Sequence, residues 1–148
     1  MALTSEGLDG LIQRLRRIET DLVPALAAAV YQRAQRVMTA SRPEVPVRNR
    51  WGGTLRASGM VLPPEITGAQ IAVTFGYGGA AARYAAAVHE NPRAGHTGGV
   101  SPSGHKYTAW SEVGKYHFLS DPMKEVMATY PADMAATVRD ILQRHTRP

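Results

Sequence analysis

Apolar side chains between residues 8 and 40 recur every three or four positions, which is the spacing of an amphipathic helix. Polar and basic residues fill the positions between them, so one helix face is apolar. We expect one helix from about residue 8 to residue 20 and a second from residue 22 to residue 40, or both as one bent rod. The apolar positions are Leu8, Leu11, Ile12, Leu15, Ile18, Leu22, Leu26, Val30, Ala34 and Val37.

Prolines interrupt this pattern. Pro43 and Pro46 lack a backbone donor and disfavour a helical conformation in the residue before them. We therefore predict a helical region at 1–41 and an extended arm at 42–58, with Thr54 capping a single helical turn. An extended arm buries little, so we also expect that residues 42–53 can be deleted without unfolding the chain.

The middle of the chain predicts a hairpin. β-favouring residues run from Met60 to Ile66 and from Gln70 to Tyr77, and the short segment between them favours a turn. In the second run, apolar positions 71, 73 and 75 alternate with 72 and 74, so one face should be buried against the helices. Residues 80–88 favour a short helix or a further strand, which completes a unit at 59–90.

The last third divides at residue 120. Residues 91–119 are rich in glycine and show no period, which predicts a long loop. At 120–146, Ser120 or Asp121 can cap a helix, Pro122 suits its first position, and Pro131 should kink or restart it near Tyr130. The chain is thus predicted to be a single α+β domain, 1–148, with a small, mostly antiparallel sheet packed by N-terminal helices and a kinked C-terminal helix.

Composition narrows the classes of protein. The 148 residues include no cysteine, which excludes disulfides and thiolate zinc sites and suits assembly in a reducing bacterial cytoplasm. We expect neither a secretory leader nor a membrane span. The formal net charge of +5 permits contact with nucleic acid, although the basic residues are scattered.

Candidate chemistry is sparse. Gly76, Gly78 and Ala81 match a dinucleotide-binding fingerprint, but the βαβ context and the later acid are missing, so we expect no cofactor. Several histidines lie in or beside the long loop without metal-ligand spacing, and we interpret them as solvated, with His117 packed near Phe118. A metal-dependent hydrolase remains an alternative. The groups involved are His89, His96, His105, His117, Glu90 and Glu112.

Aromatic and basic residues interleave along the arm and the loop, as a nucleic-acid surface requires. Aromatic packing or subunit contact is the interpretation that we favour, and a basic nucleic-acid-binding protein without sequence readout is an alternative. The residues are Trp51, Tyr77, Tyr84, Tyr107 and Trp110 with Arg48, Arg50, Arg83 and Lys106.

Three short motifs follow one another along the chain. The first is a proline and "P-V-x-T-G-x-L-x-x-S" arm, the second "Y-A-x-x-V-H-E", and the third "G-x-x-F-L-x-x-P". The corresponding residues are Pro46, Val47, Gly53, Thr54, Leu55, Arg56, Ala57 and Ser58; Tyr84, Ala85, Val88, His89 and Glu90; and Gly114, Phe118, Leu119 and Pro122. Residues 49–52 and the order of Gly53 and Thr54 depart from the first motif, and Gly114 lies one residue further from Phe118 than the third motif has. In this order the motifs resemble those of the gene-product-ten-like neck and tail completion proteins of lambdoid long-tailed bacteriophages.

The resemblance implies a structural, non-enzymatic virion protein that joins capsid to tail around the DNA channel. It implies a homo-oligomeric ring, expected to be a hexamer, with neck, head completion and tail terminator or tail tube proteins as neighbours, and nonspecific contact with DNA in the channel. His89 and Glu90 would anchor a loop, and Phe118 and Leu119 would dock the last helix. The arm and loop residues expected at subunit interfaces are Arg48, Arg50, Trp51, Leu55, Arg56, Tyr84, His89, Glu90, Tyr107 and Trp110, and those expected to face the channel are Arg42, Arg93 and Lys106.

Overall fold

A single long helix, α1, spans Ser5–Glu44. The computed structural model describes residues 5–47, 53–94, 99–100, 104, 106–107 and 113–146. The 40 residues of α1 give a rod of about 60 Å. The predicted helix pair is therefore one helix, which was the second of the two options, and Pro24 lies inside it.

The predicted end of the helical region at residue 41 is wrong, because α1 continues through Pro43 to Glu44. A proline lacks its own donor and its ring crowds the preceding turn, but its fixed φ is helical and Pro43 is the next-to-last residue of α1. The carbonyls at this end are satisfied from elsewhere in the chain. Arg56 Nη2 donates to Pro43 O at 3.0 Å, and the Lys115 backbone N–H donates to Glu44 O at 2.9 Å.

The segment after α1 is packed, contrary to the predicted arm. Val45 is fully buried and Pro46 is buried, and Val47 pairs with Val113 in an isolated antiparallel bridge. The expected helical turn is confirmed as α2, Thr54–Ala57. Its cap was predicted incorrectly, because Gly53 occupies the N-cap position.

The predicted hairpin is confirmed, with its ladder interrupted midway. Its four strands are β1 (Gly59–Val61), β2 (Glu65–Thr67), β3 (Gln70–Ala72) and β4 (Phe75–Tyr77). β1 pairs antiparallel with β4, and β2 pairs antiparallel with β3. Pro63 and Pro64 fall in the gap, where neither can donate to a ladder. Ile71, Val73 and Phe75 are half-buried, and α1 contacts β1, β3 and β4.

Residues 79–107 contain short elements. A 3₁₀ turn, Gly79–Ala81, leads into α3, Ala82–His89, which confirms the helical option for this segment. The predicted loop at 91–119 is more ordered than expected: it holds a 3₁₀ turn, Pro92–Ala94, and the antiparallel pair β5 (Gly99–Val100) and β6 (Lys106–Tyr107). Strands of two residues are too short to show a period.

The C-terminal region forms α4, Ser120–Ala128, and α5, Tyr130–Thr146. The predicted restart near Tyr130 is confirmed. Helix α4 begins two residues before Pro122, and Leu119 occupies the N-cap position expected for Ser120 or Asp121. Both helices pack on α1, and the fold is α+β.

Candidate functional site: the junction of three segments

A buried apolar cluster joins the segment after α1, the start of α3 and the segment before α4. Val45, Leu55, Ala81 and Phe118 form its centre and are at most 5% exposed. Half-buried side chains surround this centre, and Phe118 meets the ring of Tyr77 edge to face, with centroids 5.3 Å apart. We call this region the junction. Its half-buried members are Tyr77, Ala85, Val88 and Leu119.

Two histidines share one carboxylate at the edge of the junction. His89 Nδ1 lies 2.7 Å from Glu90 Oε1, and His117 Nε2 lies 3.3 Å from Glu90 Oε2. The Ser120 backbone N–H donates to His89 Nε2 at 3.3 Å, so in neutral His89 the proton is on Nδ1 and points to Glu90. The backbone is tied at the same place, because His117 N–H donates to His89 O at 2.8 Å.

The electrostatics of this group favour an ionised Glu90. Its hydrogen bond with His89 lowers the pKa of the Glu90 carboxyl below the usual range, and the bond with His117 lowers it further. Since the lone pair of His89 Nε2 is already used by an amide, the imidazole is engaged at both nitrogens. This arrangement supports the loop-anchor interpretation of His89 and Glu90.

Gly114 brings the segment before α4 against the end of α1. Its φ is +88°, and a Cβ at this position would lie 2.6 Å from Glu44 O and from Pro46 N. Only glycine avoids that overlap and adopts this φ without strain. Lys115 continues the contact through its backbone bond to Glu44, and its ammonium lies 3.6 Å from an Asp121 carboxylate oxygen.

Two arginines of the predicted arm stabilise the fold. Arg56 donates to Pro43 O and, at 2.8 Å, to Val45 O, while Arg42 Nη2 donates to Gly59 O at 3.0 Å. Among the described residues, Arg56 Nε is buried without a hydrogen-bond partner. These contacts, with Val45 in the core, contradict the expectation that residues 42–53 can be removed from a folded chain.

Tyr77 links the junction to α1. Its hydroxyl lies 2.8 Å from the Oγ of Ser41, which is fully buried. Burial raises the pKa of the Tyr77 phenol, while the Ser41 hydrogen bond and the charges of Arg42 and Arg56 act in the opposite direction. The tyrosine is therefore a neutral structural contact at physiological pH.

An apolar cleft of about 250 Å³ opens beside α3. His89 supplies the polar side of a wall that is otherwise aromatic or aliphatic. A cleft of this size and lining suits an apolar side chain better than a polar substrate. The lining residues are Tyr77, Ala85, Ala86, His89, Phe118 and Leu119.

The structure separates the predicted interface residues into groups. Leu55, predicted at an interface, belongs to the core because packing against Phe118 buries it. Tyr84 is 37% exposed on α3, and Glu90 is exposed beside it. Arg48, Arg50, Trp51 and Trp110 lie outside the described residues, and so does the side chain of Tyr107.

The residues predicted to face a DNA channel lie in three different elements of the fold. Arg42 donates a hydrogen bond to Gly59 O, Arg93 is exposed in the 3₁₀ turn at Pro92–Ala94, and Lys106 is exposed in β6. The dinucleotide fingerprint spans the end of β4 and the turn before α3. Since β4 pairs antiparallel with β1, this is a glycine turn outside a βαβ unit.

Of the histidines predicted as solvated, His89 is half-buried and bonded at both ring nitrogens at the edge of the junction. His117, expected to pack near Phe118, is half-buried, and its ring centroid lies 5.4 Å from that of His89, which meets Phe118 edge to face. His145, on α5, has its Nε2 2.9 Å from Asp21 Oδ2, and His96 and His105 lie outside the described residues. Within the described ranges, no group of three or more potential ligands is arranged to hold a metal ion.

Sequence reasoning missed a buried arginine. Arg33, 8% exposed, donates to Val126 O at 2.8 Å and to Thr129 Oγ1 at 2.7 Å, and forms an ion pair with Asp133. It thereby fastens the break between α4 and α5 to α1. The available signal was its position, three residues after Val30 and four before Val37, on the apolar face of the helix.

Comparisons of the sequence and the fold with known proteins matched no family model, no curated protein and no solved structure. In the part of the chain that the structure describes, no helix combines the length and the apolar character that crossing a bilayer requires.

Proposed function

We propose that this chain is a structural subunit of a tailed bacteriophage or a phage-derived particle, and that it joins capsid to tail as a ring around the DNA channel. Its partners are further copies of itself and the neighbouring neck, head completion and tail proteins. The proposal includes no catalytic step and no cofactor. The site of action is the virion neck, after assembly in the host cytoplasm.

The observation that carries the proposal is the convergence of the three resembling segments. Leu55 from the first, Ala85 and Val88 from the second, and Phe118 and Leu119 from the third pack in one cluster. The three segments are far apart in the chain, and the fold brings them into contact. The resemblance therefore describes one packed unit, which is better support than three unrelated short matches.

The chemistry of the junction supports a mechanical role. His89, Glu90 and His117 bond to one another and to the backbone at Ser120. The glycine at 114 permits a close backbone contact instead of opening space for a ligand. Polar groups used in this way hold segments in place, as a subunit under load from a packaged genome requires.

Deleting the gene from the phage or prophage that encodes the chain tests the proposal. We expect full heads and complete tails that do not join, and joining restored when the chain is supplied in trans. An electron-microscopy map of the restored particles should place the chain in a symmetric ring between portal and tail tube. Joined, infectious particles without the chain would defeat the proposal.

The nucleic-acid-binding alternative makes a different prediction. Arg33, Arg42 and Arg56 donate to backbone carbonyls within the chain, which leaves fewer of their N–H groups for phosphates. We expect weak binding of the isolated chain to duplex DNA at physiological salt. Tight binding with a steep dependence on salt concentration would favour the alternative over the joining role.

A further inference from the structure

The N-terminal end of α1 carries an uncovered apolar stripe. Leu8, Leu11, Ile12 and Leu15 are 48%, 50%, 39% and 56% exposed, and they lie on one face because they are spaced by three and four residues. We call these four residues the stripe. Large apolar side chains clustered in this way on a surface helix mark an interaction surface.

The stripe continues a face that the chain covers itself further along. The C-terminal end of α5 reaches α1 at Asp21, where His145 meets it, and Ile18 and Leu22 are half-buried. All residues from Gly7 to Arg17 are exposed, so about three turns of α1 project past α5. A helix segment of this length is marginal alone and is stabilised by packing its apolar face.

The charges beside the stripe point to its occupant. In heptad terms Leu8, Leu15 and Leu22 occupy a positions and Leu11 and Ile18 occupy d positions, which places Arg14 at g and Glu19 at e. In a parallel pair of identical helices, g of one chain meets the e five residues later in the other, so Arg14 faces Glu19 twice. An antiparallel pair would instead bring the two Arg14 side chains together.

We propose that the stripe packs in parallel against the stripe of another copy of this chain, with Arg14 of one copy paired to Glu19 of the next. Both side chains are exposed. Leu15 at a and Ile18 at d favour more than two strands, and Ile12 at e widens the stripe so that a helix can contact neighbours on both sides.

This inference rests on the self-assembly in the proposed function and names its surface. In a ring with cyclic symmetry, equivalent helices that run along the ring axis all point the same way and pack in parallel. The parallel charge pairing of α1 meets that requirement. An anionic membrane is a weaker occupant, because the charges between residues 7 and 22 balance and give this face no net positive charge to attract anionic headgroups. The acids are Asp9, Glu19 and Asp21, and the bases are Arg14, Arg16 and Arg17.

Sedimentation and light scattering of the full chain test the stripe. We expect concentration-dependent oligomers, and an increase of about 100-fold in the dissociation constant for Leu11→Gln with Leu15→Gln, since each removes an interface anchor. Leu142→Gln, an exposed leucine on α5 (40%), is the matched control and should leave the constant unchanged. Near-ultraviolet circular dichroism reports the packing of the body, because every aromatic residue lies outside the projecting turns of α1, and it should be alike in all three proteins.

Charge reversal tests the parallel register. Arg14→Glu alone and Glu19→Arg alone should each weaken association by about three- to tenfold, because each places like charges opposite one another. The double reversal should restore it. A monomeric wild-type chain, oligomers indifferent to the stripe variants, or a double reversal that fails to restore association would each overturn the proposal.

Two further results separate this inference from the joining role. Stripe-dependent binding to phosphatidylglycerol vesicles by a chain that remains monomeric would assign the stripe to lipid and overturn self-packing. If the chain forms parallel oligomers but is dispensable for head-to-tail joining, self-packing of the stripe stands and the proposed function is wrong. If the chain is needed for joining but its stripe variants still assemble, the proposed function stands and self-packing of the stripe is wrong.

Discussion

The two halves of α1 follow the same apolar spacing but have different surroundings. In the C-terminal half, Val37 and Met38 are at most 2% exposed, covered by the hairpin and the C-terminal helices. In the N-terminal half, Leu11 and Leu15 are at least 50% exposed. Spacing fixes which residues share a face of a helix, and the rest of the chain decides whether that face is covered. The contrast separates the folded body from the part of α1 that is free to meet another molecule.

Alanine at two glycines gives the largest expected difference. Gly114→Ala should destabilise the fold by about 4 kcal/mol or more, because the methyl group would overlap the backbone of α1 at a left-handed φ. Gly10→Ala in the projecting half meets no atom within 4 Å and should stabilise the helix by about 0.5–1 kcal/mol. Urea denaturation measures both. Equal changes in the free energy of unfolding at the two positions would remove the contrast between the packed end of α1, which Gly114 contacts, and its projecting end.

Truncation of one apolar side chain in each half gives the next largest difference. Met38→Ala should cost about 2–4 kcal/mol through lost burial and a cavity against Gly59. Leu15→Ala should cost less than about 1 kcal/mol in the monomer, because the side chain is already in water. Thermal unfolding in dilute solution measures the pair. A large cost for Leu15→Ala in a monomer would show that the stripe is covered within its own chain.

The buried arginine of the covered half should rank third. Arg33→Met should destabilise by about 2–3 kcal/mol, because the carbonyl of Val126 and the hydroxyl of Thr129 lose a donor and Asp133 loses its partner. Arg17→Ala, exposed in the projecting half, should change stability by less than about 0.5 kcal/mol. Asp133→Asn combined with Arg33→Met should recover part of the loss. If the effects of the two single substitutions simply add in the double variant, the ion pair contributes nothing to the free energy of unfolding.

A pH effect at the junction should be the smallest. Because the pKa of Glu90 is lowered in the folded chain, its stabilising contribution is complete above the ordinary carboxyl range and is lost as the pH falls through the lowered value. The protection factor of the His117 amide, whose N–H donates to His89 O, should fall over that acidic window, whereas amides near Leu11 should show no such step. Glu90→Gln should abolish the step. A step that persists in the variant would assign it to another carboxyl group.

Much of the fold was predictable, since helices and the hairpin follow from spacing and turn residues. The end of α1 was not, because Pro43 is locally unfavourable and the compensating donors, Arg56 and Lys115, come from distant segments. The pair β5 and β6 was missed because two-residue strands carry no period. In each case a contact between remote residues outweighed a local preference.

The candidate site was predicted in part. His89 and Glu90 were expected to anchor a loop, and they do bond to His117 and to the backbone at Ser120. Arg56 and Leu55 were assigned to an interface because exposure cannot be read from a charged, glycine-rich segment. Burial depends on which segments pack together, and a single amino-acid sequence does not show this.

The carbonyl oxygens of Pro43, Glu44 and Val45 accept their hydrogen bonds from Arg56 and Lys115, residues synthesised well after α1. During translation, Arg56 can reach its two acceptors early, whereas the carbonyl of Glu44 lacks its donor until the segment before α4 has left the ribosome. Closure of the end of α1 is in this sense completed late, and a nascent chain stalled before Lys115 should leave the carbonyl of Glu44 open to water.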